Sequence, residues 1–261
     1  MNGDTLEHTP VLVNEVIRTI NPQSGKLYFD ATFGWGGYTK KLLDSCACEV
    51  IAIDQDPKVK SRAKEFKREY GTRFNFIESK FSEICSVLKK LNTKKVDGFM
   101  FDIGVSSMQL DNPQRGFSFN KEGPLDMRMG NSELTAEEFI NSVSEDELAD
   151  IIYNYGDERK SRRIAKLIVE HRKINPIKTT LHLADIVLKA NPKKNNHKKH
   201  PATKTFQAIR IHLNDEFNEL FAGLTNAEQA LSEDGKICVV TFHSLEDKIV
   251  KNYFYKSSGM D

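Results

Sequence analysis

The chain has 261 residues, 39% of them apolar, enough to bury an ordinary core as one large domain or as one domain carrying an insertion. No apolar run approaches the ~20 residues of a membrane span, and the opening MNGDTLEHTP lacks the basic and apolar regions of a signal peptide, so a cytoplasmic protein that does not enter membranes is expected. The 38 Lys/Arg and 37 Asp/Glu balance to +1, and the four cysteines form no C-x-x-C pair, so neither a metal site nor a disulfide framework is supported.

In chain order, residues 11–21 (VLVNEVIRTIN) set Val13, Val16, Ile17 and Ile20 on one helical face. Residues 27–56, LYFDATFGWGGYTKKLLDSCACEVIAIDQD, then read as a strand (27–33), a turn with Gly34, Gly36 and Gly37, a short helix, and a second strand ending in Asp54 and Asp56. Such glycines let the backbone pass close under a ligand, to which the next helix offers free N–H groups. Asp54, 18 residues after Gly36, stands where an acid can accept both hydroxyls of a ribose. Dinucleotides and S-adenosylmethionine both use this architecture. A dinucleotide fingerprint would want glycine at position 39, where Thr39 stands. Asp30, four residues before Gly34, is nearer the D/E-x-G-x-G pattern of class I methyltransferases. Many βα turns carry glycines only to turn, but three glycines in four positions with two strand-end acids favour a ligand.

Residues 57–70 read as a helix opened by Pro57 and closed by Gly71, 74–78 as a third strand, 82–91 as a helix, and 96–103 (VDGFMFDI) as a buried strand of a parallel sheet. The alternation predicts a doubly wound α/β domain. Residues 104–128 have no sustained period, and a long irregular loop at the carboxyl end of a central strand is where open sheets place their sites. Thr135 with Glu138 and Ser144 with Glu147 match capping boxes, and helices are expected over 157–173 and 180–190. Residues 125–200 therefore read as an all-helical, substrate-recognition insertion in a cofactor-binding domain made of 1–124 and 201–261.

Residues 151–205 hold 14 Lys/Arg against 4 Asp/Glu, a surplus of ten that leaves the remainder nine negative. That is a candidate polyanion footprint. Its loop PKKNNHKKH, with Lys193, Lys194, Lys198 and Lys199, could be a solvated linker. Beside Arg159, Arg162, Arg163 and Arg172, a nucleic-acid contact gains. From Ala202 one long helix carries Phe206, Ile209, Leu213, Phe217, Leu220 and Leu224 on a core-facing stripe. A fifth strand over 236–242 then precedes a helix starting at His243.

The blocks HTPVLVNEV, DATFGWGG, AIDQDP, DGFMFDIGVSSMQLDNPQRGFSF, GPLDMRM, HPATKTFQAIRIHLNDE and TFHSLEDKIVK together resemble the MraW family of bacterial ribosomal RNA methyltransferases. The resemblance implies a class I methyltransferase (Rossmann-like) domain with an inserted helical domain. It also implies transfer of a methyl group from S-adenosyl-L-methionine to N4 of a cytosine in the decoding region of small-subunit ribosomal RNA. It puts Gly36, Gly37, Tyr38, Asp54, Phe81, Asp102 and Gln109 at the cofactor, with Tyr38 where histidine is common. Family members continue past FHSLEDKIVK into a basic tail with an Asn-Pro-Arg motif, whereas this sequence stops at Asp261, so a sheet short of its last strands is expected.

The lone pair of a cytosine amine is delocalised into the ring, so its attack needs an acceptor that draws on the N–H. Asp102 is so placed, with Ser106 and His243 as alternatives, although His243 reads equally well as a helix cap. The target base must be single-stranded or flipped. The loop over 105–119, with Arg115 and with Phe117 and Phe119 flanking Ser118, is a source of stacking faces, and the assembled small subunit is the expected substrate. A small-molecule or protein methyltransferase would share the cofactor half without needing the basic segment. A non-catalytic, cofactor-binding assembly factor would bind without turnover.

Overall fold

The computed structural model describes residues 10–192 and 200–259. The chain divides into two compact units, Met1–Gly104 with Phe217–Asp261, and Val105–Glu216. The helical unit is thus wider at both ends than the 125–200 expected.

The first unit opens with α1 (Val13–Ile20), which buries Val13, Val16 and Ile20 as its period predicts. There follow β1 (Leu27–Asp30), α2 (Gly37–Ser45), β2 (Glu49–Asp54), α3 (Lys60–Tyr70) after a 3-10 turn at Pro57–Val59, and β3 (Phe74–Glu78). Next come α4 (Ile84–Lys90) and β4 (Val96–Asp102). All ladders are parallel, in the order β3-β2-β1-β4-β5, with β5 at Leu231–Val240. The order reverses direction at β1 and β4, where open sheets bind ligands beyond the carboxyl ends of their strands.

Register explains the two-sided burial. Phe29 is level with Ile51 and with Phe99, so these side chains share one face. They join Phe101, Ile84 and Leu88 of α4, and Leu220 and Leu224 from further along the chain, in one core. On the opposite face, Phe33 packs against Phe66 of α3 and against Phe74 and Phe76 of β3. A sheet covered on both faces accounts for the buried run Gly98–Phe101 of β4.

The second unit contains α5 (Ser107–Asp111), α6 (Ala136–Ser142), α7 (Glu145–Gly156), α8 (Ser161–Ile174), α9 (Thr180–Ala190) and α10 (Thr203–Leu213) around a core of its own. Thr135 and Glu138 form the expected capping box, and Ser144 and Thr179 cap α7 and α9. The helix expected from 157 begins only at Ser161, because Asp157 is left-handed at φ 49° and ends α7.

Two expectations fail in instructive ways. The single long helix from Ala202 is two, α10 and α11 (Glu216–Ala230), the latter in the first unit from Phe217 onward. Asn214 ends the first by donating to Met127 O and accepting from Met129 N, both at 2.8 Å, and Asp215 follows at φ 49°. The fifth strand starts at Leu231 rather than at 236, with an irregular register against β4 between Val96 and Gly98. The chain then forms α12 (Ser244–Ser257). Among the described residues no helix is long and apolar enough to cross a membrane, and no group of His, Cys, Asp or Glu could hold a metal ion.

Candidate active site

The carboxyl ends of three adjacent strands each present an acid: Asp30 on β1, Asp54 on β2 and Asp102 on β4. They are held differently. Asp30 is fully buried, and its carboxylate accepts from Thr39 Oγ1 at 2.7 Å and from the Thr32 N–H at 3.1 Å. It fastens the turn to α2, and Thr39 is the residue standing where a dinucleotide fingerprint wants glycine. Burial pushes the Asp30 carboxyl up to about 6 despite these bonds.

Asp54 keeps some exposure and accepts from Gly34 N at 2.8 Å through one oxygen and from Asp56 N at 2.8 Å through the other. Each carboxylate oxygen has more than one lone pair, so both can still accept a hydroxyl. Burial pushes Asp54 up to about 6, the two backbone N–H groups opposing the rise. Gly34 and Gly36 adopt φ of +50° and +80°. A Cβ at Gly36 would strike the Phe66 ring, and one at Gly37 would strike the Pro10 ring. These glycines admit neighbouring side chains as well as turning the chain. Tyr38 is buried, and its hydroxyl donates to Val11 O, so it anchors the segment before α1.

Asp102 is the outlier of the three. Its backbone N–H donates to Thr32 Oγ1 at 2.8 Å, tying β4 to the turn after β1. Its side-chain Oδ1 is buried with no hydrogen-bond partner among the described residues. Burial first, then repulsion from Asp30 and Glu246, push its carboxyl up to about 7. A buried acceptor that the fold leaves unpaired is open to a donor from outside the chain.

His243 is the N-cap of α12. Its Nδ1 faces the Glu246 N–H at 3.4 Å, and Glu246, 1% exposed, accepts in return from the backbone N–H of Phe242 and of His243. Nε2 lies 2.9 Å from Glu246 Oε1 but without the alignment of a hydrogen bond. With Nδ1 turned to the cap, His243 takes the helix-capping position that the sequence offered as one of its two readings. Glu246 was not singled out from sequence, although an acid three residues after a cap is the signal for it. Phe81 packs edge-on against Phe101 at 5.5 Å in the partly buried margin of the core.

In the helical unit, Ser106 and Gln109 form a capping box. Ser106 Oγ accepts from Gln109 N at 3.3 Å, and Gln109 Oε1 from Ser106 N at 3.0 Å. The expected irregular loop therefore contains α5, and Ser106 serves its N-terminus. Phe117 is corrected: it is 6% exposed inside the helical core with the Arg115 guanidinium 5.5 Å over its ring, leaving no face for a base. Phe119, the partly buried one, packs against His200 and Phe206. Arg115 also donates to Arg128 O at 2.8 Å. Arg172 is internal too, donating to Ile140 O and Val143 O at the end of α6. Arg162 pairs with Asp146 and Asp150 on the surface, and Arg163 is exposed. Lys193, Lys194, Lys198 and Lys199 lie outside the described residues.

A doubly wound parallel sheet with a glycine turn after β1 and acids at the tips of β1, β2 and β4 is the layout of a class I methyltransferase domain. The chain belongs to the MraW methylase family, which its residues 5–260 match. It is 54% identical over 251 residues to ribosomal RNA small subunit methyltransferase H of Rickettsia canadensis, covering 96% of this chain and 80% of that one. The corresponding proteins of Rickettsia massiliae and Rickettsia felis are 53% identical over the same length, with 80% and 81% of their chains covered. The cofactor of this methylase is S-adenosylmethionine. The first unit fits it: Asp54 has acceptor capacity for a ribose, and the cluster of acids suits a ligand carrying a sulfonium and an ammonium charge.

Proposed function

We propose that this chain transfers the methyl group of S-adenosylmethionine to N4 of a cytosine in the decoding region of small-subunit ribosomal RNA, acting in the cytoplasm on the assembled subunit. One observation carries the chemistry: the buried, unpartnered Oδ1 of Asp102 at the end of β4. In this reading Asp54 would hold the ribose, the turn at Gly34 would lie under the ligand, and the cofactor would supply an electrophilic methyl group on sulfur. Asp102 would accept an N–H of the cytosine amine, which localises the nitrogen lone pair, and would take the proton that the amine gives up as the N–C bond forms and the S–C bond breaks, its electron pair staying on sulfur as a neutral thioether. This needs the carboxylate, so turnover rises with pH through about 7. The name of the Rickettsia relatives supports ribosomal RNA as substrate. The surplus of ten positive charges over residues 151–205 supports the helical unit as the part that grips it.

The test is incubation of small subunits lacking the modification with enzyme and labelled cofactor, followed by mass mapping of the RNA. A single N4-methylated cytosine in the decoding region is expected. Label on another base or only on protein would overturn the substrate assignment.

A further inference from the structure

We propose that Trp35, clamped by Arg62, and the basic helix α3 form a stacking site for a nucleobase of single-stranded RNA on the methyltransferase unit itself. The proposal rests on the reading that the substrate is RNA. It adds a contact outside the basic helical unit.

Trp35 is the one tryptophan of the chain, and it is 41% exposed. The backbone around it is pinned at three points: Gly34 N–H on Asp54 at 2.8 Å, Gly36 N–H on Phe33 O at 2.6 Å, and Trp35 O accepting from Arg62 Nε at 3.3 Å. The Arg62 guanidinium lies 5.7 Å from the Trp35 ring centre and 4.8 Å from that of buried Phe66, so it bridges the exposed ring to the core. Its Nη1 pairs with exposed Glu65 at 2.7 Å. An indole so held is a prepared surface, and its half-exposure has no packing purpose, since Phe33, Phe66 and Phe74 fill the core beneath.

Charge supplies the second observation. Residues 57–70 carry Lys58, Lys60, Arg62, Lys64, Lys67 and Arg68 against Glu65 and Glu69, a surplus of four within a remainder of the chain that is nine negative. Lys60 pairs with Glu78, and Lys67 donates to Phe74 O. Lys58, Lys64 and Arg68 are exposed and have no carboxylate partner among the described residues. An exposed aromatic ring on a segment with surplus positive charge suits a single strand, which is bound without base pairing through stacking and phosphate contacts. The adenine of the cofactor could stack on an indole too, but it would have no use for the surplus charge of residues 57–70.

Because Trp35 is the sole tryptophan, its fluorescence reports on that ring alone. The experiment titrates an oligocytidylate into the whole chain already saturated with S-adenosylhomocysteine. Binding is followed in parallel by the anisotropy of a dye on the oligonucleotide. Trp35 emission should be quenched along the anisotropy curve. Trp35→Ala should weaken the anisotropy-detected affinity about fivefold to a hundredfold, Trp35→Phe should restore most of it, and Lys58→Glu with Lys64→Glu should flatten its salt dependence. Calorimetric affinity for S-adenosylhomocysteine should be unchanged in all three. Oligonucleotide binding with unaltered Trp35 emission would overturn the proposal, as would quenching by S-adenosylhomocysteine alone. Quenching by RNA in an enzyme that methylates no RNA would leave the stacking site standing and refute the methyl-transfer reading instead.

Discussion

Replacing Asp102 by Asn should make the protein more stable at alkaline pH and nearly inactive. The carboxyl is held at about 7 in the folded chain, against an ordinary value of 3.8. An acid with a raised folded pKa keeps, in the folded state, a proton that the unfolded chain has released. Stability therefore falls as pH rises from about 4 to 7 and levels off above that. At 1.36 kcal/mol per pH unit, the part of this loss lying above pH 5 is about 2 to 3 kcal/mol. Asn cannot ionise, and the backbone N–H bond to Thr32 does not depend on the side chain. Urea denaturation of both proteins at pH 5 and pH 8.5 should thus show the variant gaining about 2 to 3 kcal/mol on the wild type between the two conditions, whatever offset the amide introduces at pH 5. Turnover should fall by about 10² to 10⁴, the range of a lost proton acceptor. The rise of the wild-type rate through pH 7 should vanish with it. A variant whose relative stability ignores pH would show that Asp102 is not a strained acid. One that methylates at the wild-type rate would show that it is not the acceptor.

Asp54→Ala should weaken S-adenosylmethionine binding at least tenfold, since two charge-assisted hydroxyl bonds at ~1.5 to 3 kcal/mol each are lost. Unchanged calorimetric affinity would remove Asp54 from the site. Phe117→Ala should destabilise the chain by about 3 to 5 kcal/mol, because it empties a core position of the helical unit. A change in RNA turnover without a change in melting would contradict that burial. Changing Lys193, Lys194, Lys198 and Lys199 together to Ala should lower RNA affinity and reduce its salt slope by up to ~3 to 4 while sparing cofactor binding. An identical slope would make that loop a linker.

What could be read from the sequence is what short-range physics decides. The glycine turn, the strand-end acids and the N-caps at Thr135 and Ser144 each depend on a few adjacent residues, and the structure places them as their patterns predict. Three of the departures involve a distant partner. The stripe from Phe206 to Leu224 is continuous in sequence, yet Asn214 ends α10 because its amide meets Met127 and Met129, more than 80 residues earlier. Phe117 sits in a stretch with loop composition, and only the packing of the helical core buries it while Phe119, two residues on, stays at the margin. Arg172 belongs to a basic run and would pass for an RNA contact, but two carbonyls at the end of α6 claim its guanidinium. The same logic separates the three acids. Asp30, Asp54 and Asp102 look alike as strand-end carboxylates, and what distinguishes them is the company each finds. Asp30 has a hydroxyl and an N–H, Asp54 has two N–H groups, and Oδ1 of Asp102 has none among the described residues. A buried carboxylate oxygen that the fold itself leaves unsatisfied is costly to stability. A donor brought by a substrate would satisfy it, and an amine nitrogen about to accept a methyl group is such a donor.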